Sequence, residues 1–259
     1  MKNKIVLLLF LSFFVLTLTS CTNDSHESFK LLIKVVETSD KGTSKTFLYA
    51  YNGSQIVSID GSQNRTDFIY TDGLISKMVT LNKTNQFIET TEYSYLKGKL
   101  MRVVSLGNYK INYIHNSDKT VSYEKFTLGS GNEEIKEYHG ILYFDNENLI
   151  KEERTYDNTP VGVDSKYSIS FDYDAKKNPL FNVLGFKELL NQNDKISINN
   201  TVISTVITSV SKDDQITSSA NFYTNSFEYD LDNYPIERVS ENTVATIGNG
   251  GYLKTEYFY

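Results

Sequence analysis

The sequence predicts an all-β fold, an antiparallel up-and-down meander of hairpin repeats curled into a barrel-like or half-barrel sheet. Three observations predict it. Apolar and wettable residues alternate with period two in successive segments, as half-buried strands require. Tyr167, Ile169, Phe171 and Tyr173 alternate with Lys166, Ser168, Ser170 and Asp172. Tyr223, Asn225, Phe227 and Tyr229 alternate with Phe222, Thr224, Ser226 and Glu228. Secondly, an irregular unit recurs: a strand ending in Tyr or Phe, a polar turn with Gly or Asn, then an apolar residue opening the return strand. Thirdly, the composition is rich in ring-bearing strand formers, with 19 Tyr, 15 Phe and no Trp in 259 residues.

The elements follow in chain order. Met1-Lys-Asn-Lys4 is a basic start, and Ile5 to Thr19 is an uncharged apolar run. That run is short for a bilayer-spanning helix, which takes about 20 apolar residues, and it fits a secretory signal. Leu18-Thr19-Ser20-Cys21 ends it with the chain's one cysteine. These four residues resemble the lipobox of bacterial lipoproteins. The resemblance implies removal of a 1–20 signal peptide and attachment of diacylglycerol and an acyl chain at Cys21. Several chains on one residue would anchor the protein stably, whereas a single chain binds only marginally. Without Lys2 and Lys4 the mature side-chain charge is 24 − 32 = −8, so lipid rather than headgroup electrostatics would be the anchor. Residues 21–28 form a short polar tether. Its Asp24 and Glu27 loosely resemble the acidic export signals of surface lipoproteins in Bacteroidota-type bacteria; a plain solvated linker is the other reading.

From residue 29 to residue 259 a single β-meander domain is expected. Phe29, Leu31, Ile33 and Val35 alternate with Lys30, Leu32, Lys34 and Val36, and Phe47, Tyr49 and Tyr51 alternate with Leu48 and Ala50. The repeat then appears at Tyr51-Asn-Gly53, Tyr70-Thr-Asp-Gly73-Leu74, Tyr95-Leu-Lys-Gly98-Lys-Leu100 and Tyr113-Ile-His-Asn116. It recurs at Phe144-Asp-Asn-Glu-Asn148-Leu149, Tyr173-Asp-Ala-Lys-Lys-Asn178-Pro179-Leu180 and Tyr229-Asp-Leu-Asp-Asn233-Tyr234. Gly and Asn supply the positive φ of tight hairpin turns. The long interval between Tyr173 and Tyr229 is expected to hold one more hairpin, Thr201–Val210 with Ile216–Tyr229. Strands of ordinary length plus turns amount to about 12–16 strands. One segment departs from period two: Asn178 to Leu190 clusters its apolar residues in a way that suits a short helix near 180–190, although Gly185 weakens it. It reads either as a hydrophobic plug or as a lid over a cleft.

The turn signals resemble the YD hairpin repeats of Rhs-type surface proteins, with Tyr173-Asp174 and Tyr229-Asp230 as Tyr-Asp pairs and Phe144-Asp145 as a variant. The layout over residues 46–238 resembles small Bacteroidota lipoproteins of unknown function with a porin-like β domain. That resemblance implies a cell-envelope protein, lipid-anchored and at the outer membrane, facing either the periplasm or the exterior. A lipid-embedded barrel is not expected, because Lys166, Asp172 and Glu228 would then face hydrocarbon.

A formal charge of −6 excludes a nucleic-acid partner, which requires a basic footprint. One cysteine excludes an intrachain disulfide and Cys-rich zinc sites. No GxSxG, HExxH, Walker or GxGxxG motif occurs, so no catalytic or cofactor-binding residue and no cofactor is assigned. His115 in a turn and His139 in a strand are read as bland. Gly248-Asn-Gly-Gly251 reads as a turn before the last strand, Tyr252–Tyr259. Asp230-Leu-Asp232-Asn233 and Asp145-Asn-Glu147-Asn148 offer oxygen ligands but lack calcium-loop spacing, and no metal is assigned. The functional expectation is a membrane-anchored, non-enzymatic binding or scaffold protein for a glycan or protein ligand, presenting tyrosines. The alternative is an envelope-polymer hydrolase using paired carboxylates.

Overall fold

The computed structural model describes residues 29–129, 131, 133–193, 195–242 and 252–259. The 1–20 leader, Cys21 with its tether, and the Gly248–Gly251 turn lie outside the described residues.

Sixteen antiparallel strands follow one another around a closed barrel, in which β16 pairs with β1. They are β1 (Lys34–Ser39), β2 (Ser44–Asn52), β3 (Gln55–Gly61), β4 (Asn64–Thr71), β5 (Leu74–Asn82), β6 (Ile88–Leu96), β7 (Lys99–Ser105) and β8 (Tyr109–His115). The remainder are β9 (Val121–Leu128), β10 (Glu134–Asp145), β11 (Asn148–Tyr156), β12 (Val163–Lys177), β13 (Asn199–Lys212), β14 (Gln215–Tyr229), β15 (Pro235–Asn242) and β16 (Tyr252–Phe258). Closure removes the exposed strand edges that an open or half-barrel sheet would leave. The hairpin expected between Tyr173 and Tyr229 is β13 with β14.

The repeat has a physical basis at one end of the barrel. Several hairpin turns there place residues at positive φ, such as Asp72 with Gly73 and Lys97 with Gly98. Each of five hairpins also carries a β-bulge beside its terminal Tyr or Phe: Ala50/Tyr51, Ile69/Tyr70, Ser94/Tyr95, Tyr143/Phe144 and Glu228/Tyr229. A bulge adds one residue to the return strand and increases twist. The inward positions on the return strands are therefore separated by three residues instead of two. The pairs are Ile56 and Ile59, Ile75 and Met78, Leu100 and Val103, Leu149 and Glu152, and Pro235 and Arg238.

The residue closing each strand also stitches neighbouring hairpins together. Tyr95 Oη donates to the Ile75 carbonyl (2.9 Å), and Tyr173 Oη donates to the Leu149 carbonyl (2.6 Å). His115 Nε2 bonds the Leu100 carbonyl at 2.9 Å in the corresponding place. Tyr70 Oη accepts from the Ile56 N–H (3.1 Å). The tyrosine rings thus fill the lumen while their hydroxyls satisfy backbone groups that a bulge leaves unpaired.

The same end is sealed by residues 178–198, between β12 and β13. Val183, Phe186, Leu189, Leu190 and Ile196 are buried in one cluster with Ile56, Phe68, Ile75, Leu100 and Leu149 from the wall. The Leu184 N–H donates to the Ser54 carbonyl, and Tyr70 Oη donates to the Leu184 carbonyl, each at 2.9 Å. The chain enters β1 and leaves β16 at this sealed end, since Lys34 lies opposite Phe258.

Two expectations are corrected. Residues 180–190 are not helical but run as successive turns with i to i+3 bonds such as Leu189 N–H to the Phe186 carbonyl (3.1 Å). Gly185 stands at φ +72°, which breaks a right-handed helix, and a Cβ there would lie 3.1 Å from the Gly73 carbonyl. The apolar clustering serves a compact plug rather than a helix face. The phase of residues 29–35 also differs. Leu32 and Val35 are buried, whereas Phe29 and Ile33 are exposed. Residues 29–33 precede β1 and are held by the plug and by β2: the Lys30 carbonyl accepts from Asn182 (2.8 Å) and the Leu32 carbonyl from Tyr51 (2.8 Å). Period two begins only once strand pairing does.

Candidate functional site

The two faces of the barrel wall differ in chemistry. Outward positions carry cross-strand ion pairs: Lys77 with Glu92 (2.8 Å), Lys136 with Glu124 (2.7 Å) and Lys254 with Glu237 (2.8 Å), with Lys110 paired to Glu134. Inward positions carry rings. As expected from their alternation, Tyr167, Ile169 and Phe171 face the interior, where they line a cavity of about 440 Å³.

That cavity is built where four strands deliver aromatic residues to adjacent inward positions. Tyr113 on β8 lies opposite Tyr123 on β9, with ring centroids 6.0 Å apart. Tyr123 meets Tyr138 on β10 edge-on at 6.0 Å. Gly140 lies opposite Tyr123 and makes room for it, because a Cβ at 140 would lie 2.7 Å from the Tyr123 ring and 2.3 Å from the Glu153 carbonyl oxygen. The plug contributes Leu190, Asn191 and Asn193 as the floor.

Charge enters this apolar lumen through β11. Glu152 occupies the inward repeat position that Ile59, Met78 and Val103 fill elsewhere, and only 2% of it is exposed. Its carboxylate accepts from Arg154 Nη2 (2.9 Å) and Nε (2.5 Å), from Asn193 Nδ2 (2.5 Å) and from Tyr123 Oη. Four donors compensate the desolvation of a carboxylate that would otherwise be costly to bury. Arg154 lies over the rings of Tyr138 (5.1 Å) and Tyr167 (4.8 Å). Lys125, on the same side of β9 as Tyr123, lies 5.2 Å from the Tyr109 centroid and 5.3 Å from that of Tyr138. It pairs with Glu137 at 2.9 Å. Burial pushes the Tyr138 and Tyr167 hydroxyls above their ordinary pKa, Arg154 partly offsetting this, so both stay protonated at neutral pH. Burial lowers the Lys125 pKa, but Glu137, Tyr138 and Tyr109 together outweigh it and the net shift is upward, so the amine stays charged.

A second cavity of about 280 Å³ lies against β1–β3 and β13–β16. There Arg238 takes the inward repeat position, donating from Nη2 to Thr255 Oγ1 (3.2 Å). Both charged intrusions escaped the sequence reading, because each follows a bulge that resets period two. Aligning the return strands by turn rather than by period exposes them: Ile, Met and Val in three copies, Glu and Arg in the other two.

The residues weighed from sequence lie elsewhere. His139 is on the outer face, 2.9 Å from Asp157, and His115 serves the stitch described above. Asp230 and Asp232 both hold Lys30 Nζ, at 2.7 and 2.6 Å, and Glu147 holds Lys187 at 2.8 Å. Among the described residues no group of three or more His, Cys, Asp or Glu is placed to hold a metal ion. Paired-carboxylate hydrolysis needs two carboxyl groups about 5–10 Å apart across a cleft. Glu152 is the one carboxylate lining the larger cavity, and all its partners are protein groups.

No protein-family model and no curated protein sequence matches the chain. Solved structures do. A porin-like protein from Bacteroides vulgatus ATCC 8482 superposes with a TM-score of 0.56 at 12% identity, covering 89% of this chain and 99% of the other. A porin-like protein from Bacteroides uniformis ATCC 8492 superposes with a TM-score of 0.51 at 11% identity, covering 89% of this chain and 98% of the other. At such identity the likeness is one of fold: the chain adopts the closed β-barrel of these porin-like proteins.

Proposed function

We propose that the protein is a lipid-anchored, non-enzymatic binding cup of the cell envelope, tethered through Cys21 at the outer membrane, with the tyrosine-lined cavity as its receptor for a glycan. The observation that carries this reading is the polarity of the wall. A membrane-spanning barrel has an apolar outer band, and each Lys at mid-bilayer costs about 2–4 kcal/mol. Here Lys77, Lys136, Glu92 and Glu124 line the outside, Tyr113, Tyr123, Tyr138 and Tyr167 line the inside, and one end is plugged. Such a wall suits water outside and a ligand within, held beside a membrane by lipid. Tyrosine supports the glycan assignment, since it offers sugar rings an apolar plane and a hydroxyl together.

Two measurements test the proposal. Cys21→Ala is expected to move the protein from the membrane fraction to the soluble fraction; unchanged membrane retention refutes the anchor. Titration with envelope polysaccharides is expected to give saturable binding that Tyr138→Ala and Tyr167→Ala abolish. Saturable binding indifferent to both substitutions places the receptor site elsewhere.

A further inference from the structure

We infer that the larger cavity is selective for an acidic sugar, one whose ring carries a carboxylate. The inference rests on the binding-cup reading and deepens it. Its basis is a count of hydrogen-bonding capacity along the cavity wall. Glu152 is saturated by four donors, so its oxygens are committed. Arg154 uses Nε and Nη2 on Glu152, and Nη1 has no partner among the described residues. Lys125 carries three hydrogens and has one ion-pair partner, Glu137. The Tyr138 and Tyr167 hydroxyls make no hydrogen bond among the described residues. Asn191 Oδ1 is buried there without a partner.

The wall therefore has hydrogens to give and few lone pairs to receive them. Its lining charges are two positive and one negative, and the negative one is spent. The ligand that completes it is rich in acceptors and carries negative charge. A carboxylate accepts from an arginine edge and an ammonium together in charge-assisted bonds. The three tyrosines under these cations, Tyr109, Tyr138 and Tyr167, provide apolar planes for a ring-shaped body. The volume of about 440 Å³ falls within the ~300–1,000 Å³ of small-ligand sites. The second cavity repeats the donor excess independently. Arg238 Nε is buried there without a partner, and Glu37 is the one carboxylate in a lining that also holds Lys195.

The test uses the full chain and two probes: a disaccharide with a terminal glucuronate, and the same disaccharide with neutral glucose in its place. Isothermal titration or tyrosine emission reads binding, the latter undisturbed because the chain has no tryptophan. The acidic probe is expected to bind about tenfold more tightly than the neutral one, the ratio one charge-assisted hydrogen bond supplies. Its affinity is expected to fall as ionic strength rises. Lys125→Gln, checked for folding by circular dichroism, is expected to erase the preference, so that the acidic and neutral probes bind the variant with equal affinity. Equal affinities, or a preference that survives Lys125→Gln, overturn the inference. If the neutral probe binds equally and Tyr138→Ala abolishes it, the acidic preference falls and the cup reading stands. If neither probe nor any envelope polysaccharide binds, both fall.

Discussion

Replacing Glu152 by Ala is the most informative single perturbation of the wall. It removes a carboxylate that accepts from Arg154, Asn193 and Tyr123. The guanidinium is left in the lumen without its counter-charge. Breaking a buried ion pair from one side costs about 3–5 kcal/mol, because the surviving charge stays desolvated. Arg154 retains a quarter of its side-chain exposure, so water relieves part of that penalty and the lower end, about 3 kcal/mol, applies. Against a total stability of about 5–15 kcal/mol this is a large fraction. Urea unfolding followed by far-ultraviolet circular dichroism measures it. Glu152→Met combined with Arg154→Met is expected to recover to within about 1–2 kcal/mol of the parent, since a well-packed apolar pair substitutes for a buried ion pair at little cost. A loss below about 1 kcal/mol in Glu152→Ala, smaller than one uncompensated buried charge should produce, refutes the reasoning.

Other outcomes follow from particular contacts. Gly140→Ala is expected to lower stability by at least about 1–3 kcal/mol of overpacking, because its Cβ meets the immobile Glu153 carbonyl, and to weaken ligand binding by displacing Tyr123; equilibrium unfolding and titration check both. Gly185→Val is expected to loosen the plug, since φ +72° is hostile to a β-branched residue, and limited proteolysis should then cut within residues 178–198. Asp230 supplies a pH dependence. Burial pushes its carboxyl up, but Lys30 and the Tyr234 and Asp232 N–H groups outweigh this and hold it below the ordinary 3.8. Its contribution is therefore complete above the unfolded value, about 3.9, and is lost as pH falls through the lower folded value. Acid titration of stability should show that loss in the parent and not in Asp230→Asn.

Much of the fold was legible because strands buried on one face write their alternation directly into sequence. Tyr167, Ile169 and Phe171 point inward as their spacing requires, and the turn at Asp72-Gly73 is chemically specified by positive φ. Bulges were not legible, because an inserted residue such as Ile150 looks like any other apolar residue yet inverts the phase of everything after it. The cluster at Glu152 and Arg154 was hidden for that reason: in the run Lys151-Glu-Glu-Arg154 nothing local says which charge turns inward. The false helix at 180–190 came from reading apolar density as a helical face, when the segment runs as successive turns that bury Val183, Phe186, Leu189 and Leu190 and leave Phe181 and Leu184 exposed. The phase of Phe29 to Ile33 was lost to contacts with Asn182 and Tyr51, which are distant in sequence.

Both termini of the barrel emerge beside the stopper, and for a chain anchored at Cys21, as proposed, this would set how the molecule stands. Eight residues, Cys21 to Ser28, reach at most about 28 Å when fully stretched. A protein moored through Cys21 would rest on its bottom, with its mouth turned away from the bilayer and open to solutes that never touch a headgroup. A reporter appended after Tyr259 would be squeezed against the lipid, whereas one grafted between β11 and β12 would ride on the rim.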